Sequence, residues 1–226
     1  MCAVSKSERK GSMATAVLRK TTQKAPAAGK DRRIVRTKRA LRQALIELTE
    51  EGGFDGFTVN DLCDRADINR GTFYNHYHDK DELLRALENE FFEGLEQLQA
   101  RLSTLTLASV VKVSVTKEPL PLLVDLFEYL REQGDFLHAV AGAGGDASFG
   151  PRVCDMVCAN FIQSILHERY RNSDDAFVGY YIAFYANAYM GVINRWIETG
   201  MKESSEQMAR IAMRLLFIKP GESIKL

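Results

Sequence analysis

A chain of 226 residues is long enough for one large domain or two small ones, at roughly 100–200 residues per domain, and can build its core without disulfides. With 46% hydrophobic and 27% charged residues it has the balance of a soluble globular protein, which excludes collagen-like, wholly disordered and disulfide-dense classes. Thirty basic and thirty acidic residues cancel overall, yet Met1 to Leu45 carries thirteen Lys and Arg against two acids, so a polyanion suits one end of the chain and not the rest.

Cys2, Cys63, Cys154 and Cys158 are too few and too unevenly spaced for a disulfide framework, so a reducing, cytoplasmic compartment is expected. The basic N-terminus lacks the apolar run of a secretory signal. The most apolar stretch, Phe177 to Ile193, contains two glycines, four tyrosines and Asn187, and reads as a buried helix with no membrane partner.

Residues 1–30 are rich in Ala, Ser, Thr and Lys without helical period and are expected to form a disordered basic leader. From Asp31 the texture changes. Ile34, Leu41, Leu45 and Leu48 recur at helical spacing, while Arg32, Arg33, Arg36, Lys38, Arg39 and Arg42 occupy the other faces, which makes an amphipathic helix with a cationic outer side ended by Gly52-Gly53. Thr58 followed by Asp61 has the spacing of a helix start, and Val59, Leu62, Cys63 and Ala66 form a short apolar stripe behind it. Asn69 caps a third helix, Arg70 to Tyr77. Its rings Phe73 and Tyr77 fall on one face, so Arg70, Thr72, Tyr74, Asn75 and His76 are left pointing elsewhere. A cap at Asp79 with Glu82 starts the next helix, with Lys80 in its first turn.

Three short helices with a tight turn between the second and third, and a polar face on the third, satisfy the helix-turn-helix description. The stretches Phe57-Thr58-Val59-Asn60-Asp61-Leu62, Ala66-Asp67-Ile68-Asn69-Arg70-Gly71-Thr72-Phe73-Tyr74-Asn75-His76-Tyr77 and Asp79-Lys80-Asp81-Glu82-Leu83-Leu84 resemble the DNA-binding domain of the TetR/AcrR family of bacterial transcriptional regulators. The resemblance implies a third helix in the major groove, with Arg70, Thr72 and Asn75 nearest base edges and Thr58, Tyr74, His76 and Lys80 on the sugar-phosphate backbone. The chemistry agrees, because Arg pairs with guanine and Asn with adenine. Gly71 points to a close approach of backbone or DNA. Asp67 stands where the family very often has Gly; it tolerates a left-handed turn, but its charge weakens attraction to phosphates.

Beyond the head the periodicity stays helical, so the fold class is all-α. The expected order is a helix from Asp81 to Leu105, a looser stretch from Val110 to Thr116, a helix after Pro121, and a glycine-rich connection from Ala141 to Gly150. Helices then run from Pro151 to about Asn172, from Asp174 to Thr199, and from the Ser204-x-x-Gln207 box to before Pro220. The head thus covers 31–80 and a helical effector-binding and dimerisation domain covers 81–226. Gly145-Asp146-Ala147-Ser148-Phe149 and Gly191 to Lys202 resemble the C-terminal domain of the subgroup that regulates dihydroxyacetone kinase genes.

That resemblance implies a homodimer on a palindromic operator, regulation of transcription (repression above all), and release by a small-molecule effector; no cofactor or metal is implied. The apolar helix places Ala183, Ala186, Met190, Gly191 and Trp196 at the dimer interface. Candidate effector-lining residues are Phe92, Tyr129, Met156, Phe161, Tyr181, Tyr185 and Asn187. The competing function is a non-DNA-binding adaptor that acts through a protein partner. No nucleophile elbow, phosphate loop or paired catalytic set marks an enzyme, and Cys154 and Cys158, four apart on one helix, read as structural.

Overall fold

The computed structural model describes residues 28–102, 118–142, 144–159, 162 and 175–217. Most of the leader, the Val110 to Thr116 stretch, Phe161 and the expected helix end near Asn172 lie outside them. Among the described residues there is no strand. Helix α1 spans Ala28–Gly52, three residues ahead of the expected start. A 3-10 turn at Phe54–Gly56 leads to α2, Val59–Arg65, and α3, Arg70–Tyr74; α4 follows at Lys80–Leu102. The C-terminal set comprises α5 Pro121–Glu132, α6 Gly134–Ala141, α7 Phe149–Val153 with a π-helical extension Cys154–Ala159, α8 Ala176–Glu198 and α9 Ser205–Phe217.

Local chemistry fixes the ends. The Thr58 hydroxyl accepts from the Asn60 and Asp61 N–H groups while the Thr58 N–H donates to Asp61 Oδ2 at 2.7 Å, which is a complete capping box. At the other end of α2 the Ile68 N–H reaches Cys63 O at 3.0 Å and the Asp67 N–H reaches Asp64 O at 3.3 Å, the Schellman arrangement, with Asp67 left-handed at φ 52°. Gly200, φ 76°, closes α8 in the same way, with Met201 N–H on Trp196 O at 2.8 Å. The expected Ser204–Gln207 box is present at α9, where Ser204 N–H donates to Gln207 Oε1 at 2.7 Å. Helix α7 begins at Phe149, two residues before Pro151, since Pro tolerates any first-turn position where the N–H is unsatisfied anyway.

Asp67 is the one strained residue of the turn, because a left-handed conformation costs an L-residue roughly 1–2 kcal/mol and glycine nothing. Asp67→Gly is expected to raise stability by about 1 kcal/mol, which is roughly 2–4 °C in melting temperature for a chain of this size. It also removes an exposed negative charge beside α3, so calorimetry and DNA titration should both move upward.

One continuous core joins the two sets of helices. Leu41, Leu45, Leu62 and Phe73 from the head meet Leu83, Leu87 and Phe91 of α4, and these meet Leu130, Phe136 and Phe149. Phe91 is the hub, with ring centroids of Phe92, Tyr129, Phe136 and Phe149 at 5.4, 5.7, 6.2 and 5.3 Å. Helix α4 begins at Lys80, at the expected 80/81 boundary, and its buried face serves both sets of helices. Arg42 departs from the outer cationic face. Its guanidinium donates to Gln133 Oε1 at 2.7 Å and lies 4.8 Å from the Phe136 ring centroid, so α1 is clamped to α6 by a half-buried arginine whose stem covers apolar surface.

Helix α8 is not the buried helix that its composition suggests. It is long and apolar enough to cross a bilayer, yet only 22% of its most apolar stretch is buried within the subunit. Val178, Ala186, Tyr189, Ile193 and Trp196 face the subunit's own core, while Phe177, Tyr180 and Phe184 are 71, 77 and 69% exposed. Ala186 and Trp196 therefore do not belong to an intersubunit surface as drawn from the sequence. Trp196 packs edge-on against Phe127 at 5.5 Å and donates its indole N–H to Glu203 O at 3.1 Å. Ala183 and Gly191 are exposed and Met190 is half-buried.

Candidate nucleic-acid interface and effector clefts

Helix α3 is a single short turn held by apolar contacts on one side. Phe73 is fully buried and Tyr77 nearly so, with their centroids 5.9 Å apart. The Asn69 side chain caps the helix by accepting from Gly71 N–H at 2.7 Å. Among the described residues a Cβ on Gly71 would meet only that cap oxygen, at 3.3 Å, and no backbone packs against the glycine, so the approach to it is open.

The opposite side carries the polar set. Arg70, Tyr74 and Asn75 are exposed, and Thr72 and His76 are half-buried. Tyr74 rests edge-on against Phe73 at 5.5 Å with its hydroxyl end outward, while His76 lies 6.2 Å from the Tyr77 ring. The helix is shorter than the expected Arg70–Tyr77, because Asn75 is its C-terminal cap and His76 and Tyr77 continue only as a hydrogen-bonded turn onto Phe73 O. Thr58, at the exposed start of α2, is committed to its capping box, which also occupies the N–H groups of Thr58, Asn60 and Asp61.

Lys80 differs most from a solvated phosphate ligand. Its ammonium donates to Phe54 O at 2.7 Å and Phe57 O at 3.1 Å and sits 4.7 and 5.0 Å from the centroids of those two rings. Two of its three donors thus tie α4 to the 3-10 turn, and one is left for a phosphate. Sequence reasoning did not find Arg65, which pairs with Glu51 Oε2 at 2.8 Å and Glu47 Oε2 at 3.2 Å and locks α2 onto α1; it holds the Glu51 carboxylate below its usual range, and the Gln43 amide followed by Arg65 does the same for Glu47. Exposed Arg32, Arg33, Arg36, Lys38 and Arg39 continue the cationic face along α1.

The candidate effector residues separate into two clefts and a packed set. Phe92 and Met156 line a cleft of about 710 Å³ between α4 and the π-helical segment, and Arg152 crosses it with its guanidinium 4.4 Å from the Phe92 centroid. Asn187 lines a second cleft of about 320 Å³ together with Met190, and one of its amide N–H groups donates to Ala183 O at 2.8 Å. Tyr129 is packing: its hydroxyl donates to Phe91 O at 2.8 Å, burial pushes its pKa up to about 12, and a Cβ at Gly94 would collide with it. Tyr181 and Tyr185 pack against each other, with ring centroids 4.6 Å apart and planes tilted by 43°. Burial pushes the Cys158 thiol up to about 12 and raises that of Cys154, which suits packing and not nucleophilic chemistry.

A three-helix head with an exposed recognition turn, carried on an all-helical core, defines a helix-turn-helix transcriptional regulator. Residues 41–87 match the family model described as bacterial regulatory proteins, tetR family, and residues 117–217 match the transcriptional regulator C-terminal region. The chain belongs to the TetR family, whose members regulate transcription and are not enzymes. It is 43% identical over 58 residues to the HTH-type transcriptional regulator YxbF of Bacillus subtilis, a match covering 25% of this chain and 15% of that protein. It is 35% identical over 77 residues to the HTH-type transcriptional repressor DhaR of Mycobacterium sp., covering 32% and 38%. The chain thus spans well under half the length of these relatives. The dihydroxyacetone kinase operon activator DhaS shares its fold, with a TM-score of 0.50 at 19% identity over 80% of this chain and 93% of that one.

Proposed function

We propose that the protein is a cytoplasmic repressor that binds a near-palindromic operator as a homodimer and is released by a small molecule. The observation that carries the DNA reading is the α3 surface: a cap, a buried ring pair and an open glycine leave Arg70, Thr72 and Asn75 turned outward, with Thr58, Tyr74, His76 and the spare donor of Lys80 around them. Arg70 and Asn75 would read base edges, and the others would set register on the phosphates.

Two heads on a two-fold axis would present successive major grooves about 34–36 Å apart. The exposed Phe177, Tyr180 and Phe184 on α8, with Ala183 and Gly191 between and beyond them, supply the apolar face that a second copy would cover. The cleft lined by Phe92 and Met156 is the site an effector would enter, and Arg152, which spans it, would respond to the ligand. Repression is taken as the outcome, as in DhaR.

A salt titration of binding to the DNA upstream of its own gene tests the reading. An operator reader loses affinity linearly in log-log form as salt rises, through counterion release, and is competed by one sequence only. No binding at low salt would replace this reading with that of an adaptor working through a protein partner.

A further inference from the structure

Where the head meets the core, a third cleft of about 470 Å³ opens between the start of α4 and the loop that leads into α7. Its walls belong to both parts of the molecule, Phe54 and Leu84 on one side and Gly145 to Ser148 on the other. Glu88 forms part of the lining with its side chain only 4% exposed. One oxygen, Oε2, accepts from Arg152 Nη1 at 2.7 Å, while Oε1 is buried without a hydrogen-bond partner. A buried carboxylate oxygen left in that state is costly.

The surroundings aggravate the cost. Burial, and then the neighbouring Asp146 carboxylate, itself fixed by the Ser148 N–H at 2.8 Å and hydroxyl at 2.7 Å, raise the Glu88 carboxyl above its usual range, a cost that a cation between the two carboxylates would offset. Counting Asp81 and Arg85, the cleft holds three carboxylates against two guanidiniums. Among the described residues no trio of His, Cys, Asp or Glu is arranged to hold a metal ion. An ammonium group fits better, since it carries one charge and three donors for the two facing carboxylates, and the Phe54 and Leu84 side chains offer an apolar wall to a short alkyl chain.

We propose that this junction cleft binds a small primary ammonium compound, with Glu88 Oε1 and the Asp146 carboxylate accepting its N–H donors. The site is separate from the Phe92 cleft but shares Arg152 with it. Its occupant also bears on the head, because the Phe54 N–H donates to Gly144 O at 2.7 Å, so the loop that carries Asp146 is bonded directly to the 3-10 turn that leads into α2. A ligand held between those walls fixes their separation and with it the head, a consequence that rests on the DNA-binding reading.

The test is a calorimetric and thermal-shift titration of the full chain, without DNA, using n-butylammonium chloride, with n-butanol and sodium chloride as matched controls. The expected result is saturable stabilisation by n-butylammonium alone, weakened at least tenfold in Glu88→Gln and again in Ala147→Leu, which fills the cleft from an exposed loop position and decides the matter should the first variant not fold. Equal response to the alcohol or the sodium salt, unchanged binding by the folded variants, or no saturable response by the parent chain would overturn the site. Operator titration with and without n-butylammonium then follows. A chain that binds the ammonium and no DNA keeps the site and loses the regulator reading, and a chain that binds its operator and ignores the ammonium does the reverse.

Discussion

Replacing Phe184 by Glu is expected to leave a folded monomer and to lower operator affinity by about 10²–10⁴-fold, the gain that linking two reading heads provides over one. The reasoning begins with exposure. Phe184 is 69% exposed in the single chain, lies edge-on to Tyr185 at 5.2 Å and is outside the buried core cluster, so the subunit's own core does not need it. With Phe177 and Tyr180 it lies at helical spacing on one stripe of α8, an apolar surface that a soluble chain leaves uncovered only where something docks. A carboxylate at the centre of that stripe would meet its own copy across a two-fold axis, so the repulsion and desolvation count twice. Ala186→Asp provides the contrast. Ala186 is 3% exposed and faces inward, so a charge there stays unpaired in the core and costs about 3–5 kcal/mol of folding stability. Sedimentation and thermal unfolding separate the two: Phe184→Glu should change mass and not melting of the subunit, and Ala186→Asp the reverse. A dimeric Phe184→Glu with full operator affinity would move the interface elsewhere.

The difference between those two positions also marks what was legible in the sequence. Caps are local chemistry, and the boxes at Thr58–Asp61 and Ser204–Gln207 and the Asn69 cap could be read from spacing because their partners lie three residues away or fewer. The recognition turn was legible for the same reason, since two rings four apart leave the other side of a short helix free. Helix α8 was not, because a segment apolar nearly all round gives no phase from which to tell its own core from a partner. The reading then took Ala186, a small residue, and Trp196 for interface positions, and both face inward.

Long-range polar contacts were hidden as well. Arg42 counts as one more cation on a basic helix until α6 brings Gln133 and Phe136 beneath it. Lys80 counts as a first-turn charge until the 3-10 turn presents two carbonyls to it. Glu88 did carry a signal: it sits four residues from both Leu84 and Phe92, in the middle of the apolar stripe of α4, where a charged residue needs a partner. That partner, Arg152, is 64 residues away and could not be named from spacing.

The second large effect concerns base reading. Arg70→Ala is expected to cost about 1–3 kcal/mol at each half-site, the discrimination a bidentate arginine–guanine pair provides. Because the proposed dimer would use the contact twice, operator affinity should fall by at least about 30-fold, while non-specific binding falls much less. Folding should be indifferent, since Arg70 is exposed and no ion pair to it occurs among the described residues; surface changes of that kind stay within about 0.5 kcal/mol. Tyr74→Phe is the control. Its ring keeps the edge-on contact with Phe73 at 5.5 Å and only the hydroxyl is lost, so affinity should drop on every sequence alike, as for a phosphate contact. Binding-site selection on randomised half-sites distinguishes the two patterns: Arg70→Ala should relax preference at one base pair of each half-site, and Tyr74→Phe should relax none. If Arg70→Ala instead weakened all sequences equally and reduced the salt slope by about one for each head, Arg70 would be a phosphate ligand and the reading of bases would pass to Asn75 and Thr72.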